Sequence, residues 1–434
     1  MSEKTVSLCP VCLRRLPAKR AEESGNIYLI KECPEHGEFR TILWRGSPSM
    51  DAWMRPEENT PPKAPEAEPR LGCPYDCGLC TDHLQAACCV LIEVTGRCSL
   101  GCPLCFADAG GAGEDISIEE FDELLAYLKE QSPDSPFNLQ LSGGEPAEHP
   151  EIAELVRRAK KAGFSHVQLN TNGLRLARDP GFAAALGEAG LSSVFLQFDG
   201  TADAVYTALR GRPLLKEKCA AIESCAAAGL PVVLTMALVP GVNTGDIGPT
   251  LQYAFDRMPT VRGIHFLPVG HMGRRVGAPS DALRFTLPEL IRALAVQSGY
   301  RMAISDFLPI TSGSCMCAFH GNFLVEPDGR IISVTEPGGA CCPCKRDAIA
   351  SARAYLARRW GSAYVENGDG WDMFLKNTEE RGFSVTAMAF MDAWNFDVAR
   401  LRKCRFQVAA RDHRLIPFCA YYVTSETGER LYGV

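Results

Sequence analysis

From about residue 90 the chain alternates short apolar runs with stretches whose apolar residues recur at helical spacing. Runs at 90–95, 137–141, 167–170, 194–198, 232–238 and 264–268 each end in polar or glycine-bearing turns, which predicts strands that stop abruptly. The clearest helix opens at Ser117. Ser117 and Glu120 stand as a capping box, Ile116 and Phe121 as a staple, and Phe121, Leu124, Leu125 and Leu128 line one face. The next helix is bracketed by Pro150 at its start and Gly163 just past its end. Six such units predict an α/β fold over 90–280, a parallel sheet curled into a partial (β/α)6-type barrel with right-handed crossovers. No glycine-rich dinucleotide turn follows the first strand, which disfavours an open dinucleotide-binding sheet.

Both flanks break this rhythm. Residues 1–55 hold Cys9-Pro-Val-Cys12, then Cys33-Pro-Glu-His36, with strand-like runs at 27–30 and 39–44. A hairpin unit this small gains much of its stability from a metal, so Cys9, Cys12, Cys33 and His36 are expected to hold one mononuclear zinc. A rubredoxin-like iron with a fourth cysteine from elsewhere is the other reading. Residues 56–72 form a proline-rich linker, with five prolines between 56 and 70. A cysteine motif occupies 73–89. Beyond 280 the alternation fades into a cysteine-bearing region, 281–434, with helices expected at 287–297 and 348–360.

A chain of 434 residues predicts two to three domains at about 100–200 residues each. Hydrophobic content of 46% and charged content of 22% exclude a largely disordered chain. The net charge of −7 argues against a general nucleic-acid binder. The longest apolar stretch, 230–240, is interrupted by Pro231 and too short to span a bilayer. No apolar core follows the first residues, so a cytoplasmic location is expected. The 20 cysteines change the picture most. Most are bunched two to four residues apart, a spacing that suits zinc or iron–sulfur ligation better than disulfides in a reducing compartment.

The first strand of the sheet breaks into Cys98-Ser-Leu-Gly-Cys102-Pro-Leu-Cys105. Three thiolates at a strand's C-terminal end can hold three corners of a 4Fe–4S cube and leave the fourth iron open. The second strand ends in Leu141-Ser-Gly-Gly-Glu-Pro146, the third in Asn170-Thr-Asn-Gly173, and the fourth in Gln197-Phe-Asp-Gly200. Together these resemble the radical S-adenosylmethionine (SAM) superfamily over about 88–270. The resemblance implies a cluster on Cys98, Cys102 and Cys105 that binds SAM. It implies that Gly143, Gly144, Glu145 and Pro146 meet the methionyl amino group, and that Asn170, Asn172, Gln197 and Asp199 line the SAM and substrate pocket. An electron from a donor such as ferredoxin or flavodoxin would then cleave SAM to a 5′-deoxyadenosyl radical. Leu104 departs from the pattern, where an aromatic residue is usual.

Cys73, Cys77 and Cys80 repeat the spacing without a preceding strand, and Cys89 or its neighbour Cys88 can complete a four-thiolate set. Cys315, Cys317, Cys341, Cys344, Cys404 and Cys419 form a further group. One or two auxiliary 4Fe–4S clusters are expected from these, with structural zinc the alternative. The order of parts resembles the group of tetraether lipid synthase and class D radical SAM methyltransferases. That implies carbon–carbon bond formation on an apolar, chain-like substrate entering through a lateral gap of the barrel. Methylation of a small molecule is the alternative, and a non-catalytic electron carrier a third. His265 and His271 flank the sixth strand end as candidate proton donors or packing residues. Arg400, Arg402, Lys403 and Arg405 read as a solvated face, or as a peripheral contact with phosphate headgroups at a membrane.

Overall fold

The computed structural model describes residues 3–57, 59–62, 69–78, 80–110, 113–132, 137–274, 277–310, 313–335 and 381–432. Cys341, Cys344 and the helix expected at 348–360 lie outside the described residues.

The N-terminal unit is a four-stranded antiparallel sheet of β1 (Glu3–Leu8), β2 (Arg15–Glu23), β3 (Asn26–Cys33) and β4 (Gly37–Arg45), paired in chain order. The sequence pattern pointed only to β3 and β4. In β2 the inward positions are Leu16, Ala18 and Arg20, and a charged residue on the inner face hides the alternation. Arg20 is buried because its guanidinium reaches Asp397, at 2.7 Å, across the joint with the larger sheet.

The second sheet contains β5 (Cys89–Thr95), β6 (Asn138–Gly143), β7 (Val167–Thr171), β8 (Ser193–Gln197), β9 (Val232–Leu238) and β10 (Val261–Pro268) side by side and parallel. Helix α2 (Ile118–Gln131) connects the first pair, and its capping box at Ser117 is present. Helix α3 (Ile152–Lys161) starts after Glu151, so Pro150 lies just outside it. The α/β reading holds, with one correction. The alternation fades after 280 in the sequence, yet two later strands join the parallel block: β14 (Gly382–Met388) beside β10, and β15 (Phe406–Ala409) beside β5. Antiparallel β11 (Leu308–Pro309), β12 (Ala318–Val325) and β13 (Ile331–Ser333) extend one edge, and β16 (Leu415–Pro417) the other. Among the described residues the pairing path stays open, with β11 and β16 at its ends.

Register sorts the two faces of this sheet. Leu196, Leu234, Ile264 and Val385 form one row across β8, β9, β10 and β14, all buried in the helix-facing core. One residue further along, Gln197, Thr235, His265, Thr386 and His320 form the neighbouring row on the opposite face. Parallel sheets are normally apolar on both faces. Here one face is largely polar, with Phe195 and Val233 as a small apolar patch on it.

Among the described residues no helix is long and apolar enough to cross a membrane.

Candidate active site and metal centres

Where β5 ends, the chain enters the loop of Cys98, Cys102 and Cys105. Its beginning is tied to the turn after β6. Gly144 N–H donates to the Thr95 carbonyl at 2.8 Å and Glu145 N–H to the Arg97 carbonyl at 2.7 Å. A Cβ on Gly143 would lie 2.3 Å from Thr95 O, and one on Gly144 2.2 Å from Arg97 O. The two glycines thus allow strand-end backbone to touch the cysteine loop, a closer reason for them than approach to a cofactor. Ser99 N–H and Oγ both donate to Glu148, at 2.9 and 2.6 Å. Arg97 reaches Asp115 at 2.6 Å.

The far end of the loop is latched from the opposite side of the sheet. Arg274, beyond β10, donates from its backbone to the Cys105 carbonyl at 2.9 Å and from Nη1 to the Cys102 carbonyl at 2.8 Å; its Nε holds Asp108 at 2.9 Å. Gly273 has φ +65°, and a Cβ there would strike the Cys105 and Phe106 carbonyls. Loops from β5 and β10 therefore meet across the polar face. The three thiols share an apolar bed of Leu100, Leu174, Tyr206 and Leu214. Burial pushes Cys98 up to about 11 and raises Cys102, with the Arg210 guanidinium pulling Cys102 back. A bound cation is what holds such thiols as thiolates.

Glu145 is buried, and its carboxylate accepts from Thr171 Oγ1 at 2.5 Å, Asn172 N–H at 2.7 Å and Ala147 N–H at 3.0 Å. Burial nonetheless raises its pKa. Pro146 opens the short turn beside it. Asn170 bridges Gln140 at 2.9 Å and Gln168 at 2.7 Å. Asn172 Oδ1 accepts from Leu174 N–H at 2.9 Å, while its Nδ2 is buried with no hydrogen-bond partner among the described residues. Asp199 is fully buried in a forked ion pair with Arg210, at 2.7 and 2.8 Å. Gln197 Oε1 accepts from Lys218 Nζ at 3.0 Å. An unpaired buried amide, charged side chains of both signs and three thiols fit a polar cofactor carrying oxygen acceptors beside an iron–sulfur cluster.

Arg210, Lys218 and Arg274 escaped the sequence reading. Lys218 left a trace, because it opens the buried stripe Lys218, Ala221, Ile222 and Cys225 of an alanine-rich helix. Arg274 left none, since its contacts join loops more than 160 residues apart.

In the N-terminal sheet, ligand atoms of Cys9, Cys12, Cys33 and His36 all lie within 4.8 Å of one another. His36 Nδ1 is 3.6 Å from Cys9 Sγ and 3.4 Å from Cys33 Sγ. Cys73, Cys77 and Cys80 line a small cleft with Asp82, His83 and Arg402. Neither Cys88 nor Cys89 lines it; Cys89 opens β5, opposite Phe406 and Asn138. Buried Arg400 donates to Cys317 Sγ at 3.4 Å, and Cys317, Cys404 and Cys419 are close enough to bias one another's ionisation. Burial lifts Cys419 to about 12, and charge on Cys317 adds to this. Cys315 does not join them. A turn closed by Cys317 N–H on Ser314 O separates the two, and Cys315 Sγ faces the Arg55 carbonyl.

Three further expectations change. Arg400 and Arg405 are buried, Lys403 pairs with Glu57 at 2.5 Å and the partly exposed Arg402 pairs with Asp82 at 3.1 Å, so the run does not present one continuous basic face. Strands β14 and β15 flank β10 and β5, where a lateral gap for an alkyl chain was expected. His271 is buried against Trp394, and its backbone N–H donates to the Asp392 carboxylate. His265 lies on the polar face, its Nδ1 2.7 Å from Thr386 Oγ1, and burial lowers its pKa to about 4.

Residues 92–254 match the radical SAM superfamily model, and residues 1–45 match a model described as the HMPTM N-terminal zinc ribbon domain. The chain is 32% identical to 7,8-dihydro-6-hydroxymethylpterin dimethyltransferase of Methanocaldococcus jannaschii, over 97% of this chain and 93% of that one. It is 30% identical to GTP 3′,8-cyclase of Chlorobaculum tepidum, over 56% of this chain and 77% of the relative. Among solved structures it is similar to Streptococcus suis SuiB bound to precursor peptide SuiA. That likeness has 13% identity and a TM-score of 0.43, covering 50% of this chain and 47% of that one.

Proposed function

This chain belongs to the radical SAM superfamily, and from that we propose that it is a C-methyltransferase of a small, polar, ring-shaped molecule of the reduced pterin class. The observation that carries this reading is the polar face. Gln140, Gln168 and Asn170 on β6 and β7, and Gln197, Thr235, His265 and Thr386 across β8, β9, β10 and β14, lie on this face, with Phe195 and Val233 as a small apolar patch between the two groups. Amides, hydroxyls and a neutral imidazole match the donor and acceptor edge of a heterocycle. Methylenes laid on the same face would use none of the donor and acceptor capacity that these groups keep beyond their bonds to one another. The name of the archaeal relative supports the same chemistry. The lipid-coupling alternative has neither support.

Cys98, Cys102 and Cys105 are proposed to hold the 4Fe–4S cluster, with Asn170, Asn172, Gln197 and the Glu145 turn around SAM. When bound, the cluster and SAM supply one-electron cleavage of a sulfonium carbon–sulfur bond, and so a radical able to take hydrogen from an unactivated carbon. This chain's part is to orient the ring on the polar face and keep water out under the Arg274 latch. Cys9, Cys12, Cys33 and His36 are proposed to hold zinc. The trios Cys73, Cys77, Cys80 and Cys317, Cys404, Cys419 are proposed auxiliary cluster sites, fed by a low-potential carrier such as ferredoxin or flavodoxin. The test is anaerobic turnover of the reconstituted chain with 7,8-dihydro-6-hydroxymethylpterin, SAM and a methylene-bearing reduced folate. Methylated pterin by mass spectrometry is expected. Unchanged pterin beside altered lipid in the same assay on membrane extract would overturn the reading.

A further inference from the structure

Asn172 is held by opposite charges at its two ends. Its N–H donates to the buried Glu145 carboxylate at 2.7 Å, and its carbonyl accepts from the buried Lys218 ammonium at 2.5 Å. Its side-chain oxygen is taken by Leu174 N–H. One donor is left over, the buried Nδ2, with no partner among the described residues. A second amide is aimed by the same ammonium. Lys218 has no acceptor to offer, so Gln197 must present Oε1 to it and turn Nε2 away. A fully buried lysine is costly to keep and is seldom found without a task. Lys218 comes from helix α7 (Leu215–Ala227), behind the strand ends, and touches both SAM-facing turns at once.

We propose that Lys218 is a positioning residue for SAM, fixing the Asn172 turn and the Gln197 amide so that two amide N–H groups meet oxygen acceptors of the cofactor. The inference rests on the SAM site proposed above but not on any methyl acceptor. SAM affinity is measured without substrate, so a wrong pterin assignment leaves the outcome intact. The anaerobically reconstituted full chain is titrated with labelled SAM by equilibrium dialysis. Iron content and the EPR signal of the reduced cluster are followed in parallel. Lys218→Met should keep its iron and weaken SAM binding about tenfold. Asn172→Ala should weaken it similarly alone, yet add less than about twofold on top of Lys218→Met, because the lysine acts through that amide. Gln197→Glu keeps an acceptor for Lys218 and deletes one donor, so it too should lose affinity, and it serves if Lys218→Met does not fold. Unchanged affinity with full iron in Lys218→Met or Gln197→Glu, or fully additive losses in the double variant, overturns the proposal.

Discussion

The knuckle of the N-terminal sheet and the loop after β5 each carry three cysteines, yet they are built on opposite plans. In the knuckle, two turns bring Cys9, Cys12, Cys33 and His36 within 4.8 Å of one another, and a metal held there would itself join the turns. In the β5 loop, neighbouring elements do the holding. Gly143 and Gly144 press from β6, Glu148 grips Ser99, Arg274 reaches over from β10, and Arg430 donates to the Ala107 carbonyl at 2.6 Å. A structural site can spend its whole coordination sphere on the fold. A reactive site must be positioned by something other than its metal, because one coordination place is left for chemistry.

The sharpest way to break this contrast is to remove Cys98, Cys102 and Cys105 together. The triple alanine variant should lose about four irons per chain and all 5′-deoxyadenosine formation under dithionite. Its N-terminal metal should remain, measured by elemental analysis. Next, Cys33→Ala should lose the single N-terminal metal and melt the first sheet, read by hydrogen exchange of β1 to β4, while SAM cleavage stays within about twofold. Loss of cleavage there would join the two sites that the contrast keeps apart. A smaller effect is expected at Glu145. Truncation to alanine strands Thr171, Ala147 and Asn172 donors, costing about 2–4 kcal/mol by denaturant titration; Glu145→Gln should cost less.

Acid should separate the two sheets most gently. Burial holds His166 and His320 to about 4, below the ordinary 6.5. Their neutral forms are the folded ones, so stability is intact above 6.5 and falls as pH drops from there toward 4. Going from pH 7 to pH 5 should cost about 2 kcal/mol per histidine in the large sheet. His166→Gln should flatten that slope. An unchanged slope in the variant would mean that some other group carries the acid sensitivity.

The sequence was legible where structure is local. The Ser117 and Glu120 cap, the runs that became β5 to β10, and the cysteine spacing each depend on residues a few positions apart. It was opaque where placement depends on distant partners. Strands β14 and β15 fall where the strand-helix rhythm fades: β14 alternates Phe383, Val385 and Ala387 with Ser384 and Thr386 over a short run, and its place beside β10, like that of β15 beside β5, depends on partners more than 100 residues away. Cys315 and Cys317 read as a ligand pair, yet a turn divides them between two environments. Gly143 and Gly144 were read toward a cofactor, while their nearest neighbour is the backbone of Thr95 and Arg97.

The edges of the parallel block have a consequence for synthesis. During translation β5 through β10 emerge in sheet order, each able to settle beside its predecessor. The neighbours that cover β10 and β5 arrive only with residues 382–388 and 406–409. Arg20 and Thr5 of the first sheet wait for Asp397, and Tyr421 and Tyr422 bind Glu93 of β5 last of all. Until residues 422 and 430 emerge from the ribosome, the reactive loop is therefore unbuttressed on that side, and long-range closure of this kind is slow. Cluster loading should await the emergence of residues 382–430, and a ribosome stalled before residue 382 should display a β5 loop open to solvent.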